Sequence, residues 1–295
     1  MRARGRTVFI VTFLAPATAL YALLVLWPVA QAFVFCLYRW RGVSGNKTFV
    51  GVENFARLYK DKVFWTALGH NFTLLLAAGS VILVLALAVA HALQGKGIFV
   101  RVLRGVYLFP HIISLVVVSI LWMFIYNPSF GLLTGALRAV GLERYEQPWL
   151  GNPSTALPAV GVTYAWFAVG FFIMLLAAGL QSIPAEVFDA AQLDGATGLF
   201  KVRKITLPMI WPVMRVAVVY LVISVLNVFA LVFLMTVGGP DRSTEVMLTY
   251  LYERAFKFND FGLATTIAVA NLVIVLVISG LVFRLSRRDP QEART

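Results

Sequence analysis

Six apolar runs alternate with polar segments along the chain, at about 7–38, 66–93, 105–126, 156–180, 211–237 and 261–283. About twenty consecutive apolar residues cross the hydrocarbon core of a bilayer as a helix, so each run predicts one transmembrane span. The first is too long for the apolar core of a cleaved signal peptide and reads as an uncleaved span. Pro16 and Pro28 predict kinks in it, which spans tolerate where neighbours satisfy the freed backbone groups. Phe109-Pro110-His111 predicts a further kink close to the membrane surface in the third run. Gly238-Gly239-Pro240 breaks the fifth sharply. The pattern describes an all-α, polytopic membrane protein with a single transmembrane domain over residues 1–295.

The polar segment between the fourth and fifth runs, residues 183–212, has its own internal pattern. Pro184 suits the first turn of a helix, Glu186 and Asp189 complement the positive end of its dipole, and Ala190 and Ala191 are good helix formers. Gly195 ends or bends that helix. Val187, Ala190, Ala191 and Asp194 fall near one face by three-and-four spacing, which predicts a short helix whose small residues let another surface come close.

Composition agrees with lipid as the solvent. The chain is 60% hydrophobic and 13% charged, with a mean hydropathy of +0.85, far from a soluble domain of this length. The net charge of +12 would suggest nucleic acid in a soluble protein. Here the basic residues concentrate in short segments between apolar runs, so membrane orientation is the simpler reading and no nucleic-acid partner is expected. Placing Arg2, Arg4, Arg6, the Gln94–Arg104 loop, the loop with Lys201, Arg203, Lys204 and Arg215, and the tail with Arg284, Arg287 and Arg288 in the cytosol puts both termini inside. The single cysteine, Cys36, excludes an intramolecular disulfide. No cluster of Cys, His and carboxylates has metal-site spacing, so neither metal nor cofactor is expected.

Polar residues within spans usually face the bundle or a pathway. Tyr220, Ser224 and Asn227 form one stripe on the fifth run; Thr163, Trp166 and Gly170, with Phe171 beside them, form another on the fourth. These residues line a pathway or bond neighbouring helices. Asn271 in the sixth run reads as packing. His70, His91 and His111 lie near span ends, where an interfacial histidine usually has no special task.

Asp189-Ala190-Ala191, followed by Gly195, resembles the cytoplasmic Glu-Ala-Ala, three residues, Gly loop of permease subunits in binding-protein-dependent ABC importers, with Ile205-Thr206-Leu207-Pro208 and Pro212 similar to its continuation. Asp189 is one methylene shorter than the motif's acid, which shortens the reach of any salt bridge. Gly51-Val52-Glu53-Asn54-Phe55, Asn71, Arg101 to Pro110, Tyr126-Asn127-Pro128, Gly238-Gly239-Pro240 and Phe261-Gly262-Leu263-Ala264 resemble, in that order, sugar permeases of the maltose and glycerol-3-phosphate type, in the position of the first of two different subunits. The resemblance implies six spans and a cytoplasmic coupling helix between the fourth and fifth, with Glu186, Asp189, Ala190, Ala191, Asp194 and Gly195 facing an ATPase. It also implies a second permease subunit, two ATP-binding cassette ATPases, an external solute-binding protein, and a sugar or polyol held between the helices that carry Trp166, Phe171 and Asn227.

The chain has no phosphate-cradling Gly-rich loop; Gly45-Asn46-Lys47-Thr48 lacks the upstream pattern. ATP hydrolysis therefore falls to other subunits, and no catalytic residue is expected. A self-sufficient secondary transporter would be expected to show internal repeats and mid-span ionisable residues, and an intramembrane enzyme convergent nucleophiles or metal ligands. The sequence has neither set.

Overall fold

The computed structural model describes residues 3–42, 45–93 and 97–286; Arg2, Lys96, Arg287 and Arg288 lie outside the described residues. In chain order the elements are α1 (Ala3–Tyr21), a π turn (Ala22–Leu26), α2 (Trp27–Phe35), a two-stranded hairpin of β1 (Tyr38–Arg39) and β2 (Thr48–Phe49), and α3 (Glu53–Lys60). Then follow α4 (Lys62–Ala92), α5 (Ile98–Ile112), α6 (Leu115–Ile125), α7 (Leu132–Ala139) and α8 (Pro153–Gln181). The loop carries α9 (Ala185–Leu193), α10 (Gly198–Lys201), a second π turn (Val202–Thr206) and α11 (Leu207–Met209). The chain ends with α12 (Trp211–Leu226), α13 (Ala230–Met235), α14 (Met247–Tyr252) and α15 (Phe261–Leu285).

Five stretches among the described residues are long and apolar enough to cross a membrane: Phe9–Phe35, Lys62–Ala92, Pro153–Gln181, Trp211–Met235 and Phe261–Leu285. The third run bends, but a few residues beyond the kink that Phe109-Pro110-His111 predicts. It bends by 103° between Gly105–Ile112 and Leu115–Ile125, and it makes a sixth span if the bent pair counts as one. The break falls at Ile113 and Ser114, which take extended ψ angles of 144° and 135°, while Pro110 stays inside α5.

The chain falls into two compact units. One comprises residues 1–64 and 251–272, the other residues 65–250 and 273–295. In the first unit the apolar stretch Phe9–Phe35 buries nothing against the rest of the chain, as befits a helix apolar all round and solvated by lipid. Pro28 has no N–H to give, and the ladder before it slips to π register, Trp27 N bonding Ala22 O. Where α2 ends, Asn54 on α3 is fully buried and donates Nδ2 to Cys36 O at 3.0 Å and Tyr38 O at 2.9 Å. Gly262 N donates to Trp40 O at 3.1 Å, and a Cβ on Gly262 would lie 2.2 Å from Tyr38 O. Only glycine allows that approach. Ion pairs Arg57–Asp260 at 2.8 Å and Arg254–Asp61 at 3.3 Å close the unit. The segments Gly51–Phe55 and Phe261–Ala264, some two hundred residues apart in sequence, thus fold onto one another.

The second unit is organised on α8. Asn152 caps its N-terminus by accepting from Ser154 N at 3.0 Å, with Pro153 at the first helical position. More than half of its most apolar stretch is buried, with Val160, Phe172 and Leu176 packing among Leu74 and Ile82 of α4, Leu221 and Val225 of α12, and Leu231 of α13. α5 crosses α8 at Gly170, where a Cβ would stand 2.0 Å from Tyr107 O. Asn71, fully buried on α4, donates to Val225 O and accepts from Met247 N, both at 2.9 Å. Arg215 Nη1 and Trp211 Nε1 donate to Ser286 O at 3.0 and 3.3 Å, satisfying a carbonyl at the C-terminus of α15 with a cation that complements the helix dipole.

Candidate solute cavity and coupling helix

A cavity of about 340 Å³ opens in the second unit, lined by His111, Leu115, Tyr164, Phe167, Ala168, Phe172, Tyr220, Ser224, Asn227, Val228, Phe229 and Ala230. It sits where two membrane-depth helices are interrupted. His111 and Leu115 flank the bend between α5 and α6; Asn227 to Phe229 are the break between α12 and α13, and Ala230 opens α13. Non-helical backbone at membrane depth persists only where protein buries it or a cavity hydrates it. At the second break Asn71 provides part of that support by bonding Val225 O in the last turn of α12.

The walls are aromatic faces with a few polar tips. His111 lies 4.9 Å from the ring of Phe167 and 5.2 Å from that of Phe171, and Phe171 lies 4.6 Å from Tyr220. Tyr164 is buried and lines the same wall as Ser224. Asn227 donates Nδ2 to Ile223 O at 2.7 Å, a local bond on an exposed side chain. Of the stripes read from the sequence, Tyr220, Ser224 and Asn227 come together on this cavity and Phe171 backs its wall. Thr163, Trp166 and Gly170 do not line it. Thr163 is buried and bonds Ala159 O at 3.0 Å along its own helix. Trp166 packs edge-on against Trp122 at 5.7 Å, and Gly170 is the crossing point with α5. The stripe of α8 that does face the cavity is Tyr164, Phe167, Ala168 and Phe172, one residue further on. Its spacing is as helical as the other, and its aromatic content was the available signal. His111, read as an interfacial histidine, also belongs to the cavity.

The loop helix α9 forms where its sequence predicts, but the face read from Val187, Ala190, Ala191 and Asp194 is divided: Ala191 is buried and Val187 packs inward, so Ala191 does not face outward with Ala190 and Asp194. Pro184 immediately precedes it in extended conformation. Its C-terminus closes with Gly195 at φ +75°, Gly195 N bonding Gln192 O at 3.1 Å and Ala196 N bonding Ala191 O at 2.8 Å. This paired closure is the Schellman arrangement. Ala191 and Ala196 are buried, and Val187 and Phe188 pack onto the unit's core. Glu186, Asp189, Ala190 and Asp194 stay exposed, beside Leu193, Leu199 and Phe200, all strongly exposed. A rigid helix anchored on one face presents acids and large apolar side chains on the other.

A helical membrane chain with broken spans around an aromatic cavity and an anchored helix in its central loop is a transport permease by architecture. Residues 82–288 match the family described as the binding-protein-dependent transport system inner membrane component, and the chain belongs to that family. It is 35% identical, over 96% of its length and 83% of the relative's, to the diacetylchitobiose uptake system permease protein NgcF of Streptomyces coelicolor. It is 30% identical, over 92% of its length and 91% of the relative's, to the trehalose/maltose transport system permease protein MalF of Thermococcus litoralis. The fold is similar to that of a chain in the crystal structure of a bacterial ABC transporter involved in the import of the acidic polysaccharide alginate, with a TM-score of 0.81 at 24% identity over 97% of both chains.

Proposed function

We propose that this chain is one of two different permease subunits, the first, of an ATP-driven importer, and that the two together form the pathway for a sugar or related polyol delivered by an external binding protein. In this reading the whole chain acts as one transmembrane domain with both termini cytoplasmic. Tyr220, Ser224 and Asn227 face the solute, Phe171 supports the wall, and Thr163, Trp166 and Gly170 hold α8 in place. The second permease closes the open side of the cavity. The observation that carries the reading is the coincidence of two helix breaks on one cavity of aromatic faces and polar tips, the composition that packs against sugar rings and bonds their hydroxyls. The relatives named for diacetylchitobiose, trehalose and maltose support the solute class.

The exposed acids and apolar side chains of α9 dock on one of two ATP-binding cassette ATPases. Asn227→Ala and Tyr220→Phe remove an amide and a hydroxyl from the cavity without burying charge. Both should lower uptake in the reconstituted importer several-fold while the subunits still co-purify. Unchanged transport in both variants overturns the placement of the pathway. Transport by the purified chain alone, without its partners, would show a self-sufficient transporter instead.

A further inference from the structure

The cavity contains one polar group that this pathway reading leaves idle. His111 stands at the end of α5, against Phe167 and Phe171, and its Nδ1 is buried with no hydrogen-bond partner. A neutral imidazole carries its proton on one nitrogen. On Nδ1 that proton would be a buried N–H with no acceptor, whereas a bare lone pair there is the less costly arrangement. The proton therefore belongs on Nε2, and the ring offers one N–H donor to whatever fills the cavity it lines. The remaining wall is as specific in what it omits. Its other polar members are Tyr164, Tyr220, Ser224 and Asn227, and among the described residues that line it none is Lys, Arg, Asp or Glu.

Resting on the pathway reading above, we propose that His111 is a solute contact and that the cavity selects an uncharged saccharide. The Nε2–H of His111 donates to a hydroxyl or ring oxygen of the sugar, opposite the groups supplied by α12. Hydroxyls, amide and imidazole both give and accept hydrogen bonds and so match sugar hydroxyls. On this chain's share of the wall a carboxylate would lose its water and meet no cation to replace it.

The test uses the complete importer, expressed with its partner subunits and reconstituted in proteoliposomes with saturating binding protein, so that the binding protein's affinity is not the variable. The probes are labelled diacetylchitobiose, maltose and trehalose, with digalacturonate as the charged comparison. Wild-type protein should take up at least one neutral disaccharide and not the uronate; uptake of the uronate overturns the proposed selectivity. His111→Phe keeps the ring and removes the donor. It should slow uptake about three- to tenfold, the effect of one neutral hydrogen bond, with binding-protein-stimulated ATPase activity within about twofold of wild type. His111→Gln, whose side-chain amide N–H₂ reaches roughly where Nε2 lies, should restore uptake to within about twofold. Wild-type uptake by His111→Phe, or equal damage from His111→Gln, overturns the role of His111. Asn227→Ala, run alongside, separates the two readings: a defect in Asn227→Ala alone removes only His111 from the pathway, and no defect in either removes the pathway itself.

Discussion

Asn71 bonds two pieces of backbone far from it in sequence. Its amide bonds Val225 O at the end of α12 and Met247 N at the start of α14, and its side chain sees neither water nor lipid. Asn71→Ala leaves Met247 N buried without an acceptor, which should cost about 1–3 kcal/mol. The measurement is thermal unfolding of the purified complex in detergent, and an unchanged midpoint contradicts the argument. Gly170 is constrained by backbone rather than by hydrogen bonding: with Tyr107 O 2.0 Å from where a Cβ would sit, Gly170→Ala must push α5 away from α8. A cost of about 1–3 kcal/mol is expected, read in the same melt. From the sequence Gly170 is indistinguishable from a pathway residue, because the stripe it shares with Thr163 and Trp166 has good helical spacing. Which stripe of α8 faces the cavity depends on the rotation of the helix. Partners distant in sequence set that rotation, and a shift of one residue turns the face by about 100°.

At the level of elements, legibility follows how local the causes are. α9 is readable because Pro184, the alanines and Gly195 act within ten residues of one another. The breaks in the third and fifth spans were not readable in the same way. Asn227-Val228-Phe229 contains neither Gly nor Pro, and part of the support beside it comes from Asn71, more than 150 residues earlier. Pro110 signals a disturbance, but the bend is seated beyond it, at Ile113 and Ser114. The C-terminal closure of α9 gives a sharp prediction. Nothing lies within 4 Å of a Cβ added to Gly195, yet its φ is +75°, so Gly195→Ala meets strain rather than a clash and should cost about 1 kcal/mol. Gly195→Asn, more tolerant of left-handed backbone, should cost less. Hydrogen exchange over residues 185–196 would show that order, and equal protection in all three proteins would contradict it.

A different element, α7, is tied to the short turn after it by Arg138, which donates to both carboxylate oxygens of Glu146 at 2.7 and 2.8 Å. The hydrogen bond from Arg138 lowers the Glu146 carboxyl below its ordinary value. A carboxyl lowered in the folded state contributes above its unfolded value and loses that contribution as pH falls through the lowered one. The tie should therefore be constant at neutral pH and loosen only in acid, which protection of residues 132–146 against protease as a function of pH would record.

At the scale of the molecule, the contacts within the second unit fix which ends lie together. Ser286, past the last span, meets Trp211 and Arg215 at the start of α12, so the C-terminal end of α15 shares a side with the α9 loop. His70 and Asn71, entering the second span, meet Glu245 and Met247 after the fifth, which groups those segments at the opposite ends of the same helices. With the basic loops inside, a Cys36→Ala background carrying Leu193→Cys should react with an impermeant thiol reagent only from the cytosolic side, and one carrying Tyr145→Cys only from outside. Labelling of Leu193→Cys in intact cells reverses the orientation.

On the proposed reading, that sidedness would put α9 where an ATPase can grip it. ATP-driven closure moves the spans only through a contact that does not yield, and α9 is anchored by buried Ala191 and Ala196 while Glu186, Asp189 and Asp194 remain free to meet a basic surface. Deleting one partner of a charge pair buried in an interface costs several kcal/mol, largely because the other charge is left unpaired. Asp189→Ala should therefore insert and fold normally, since the residue is exposed in this chain, yet lose binding-protein-stimulated ATP hydrolysis and uptake together. Uptake that falls while stimulated hydrolysis persists would mean that Asp189 transmits the closure without being needed to hold the ATPase. If both activities survive at wild-type levels in reconstituted Asp189→Ala, the ATPase is held by some other surface, and α9 is an ordinary loop helix.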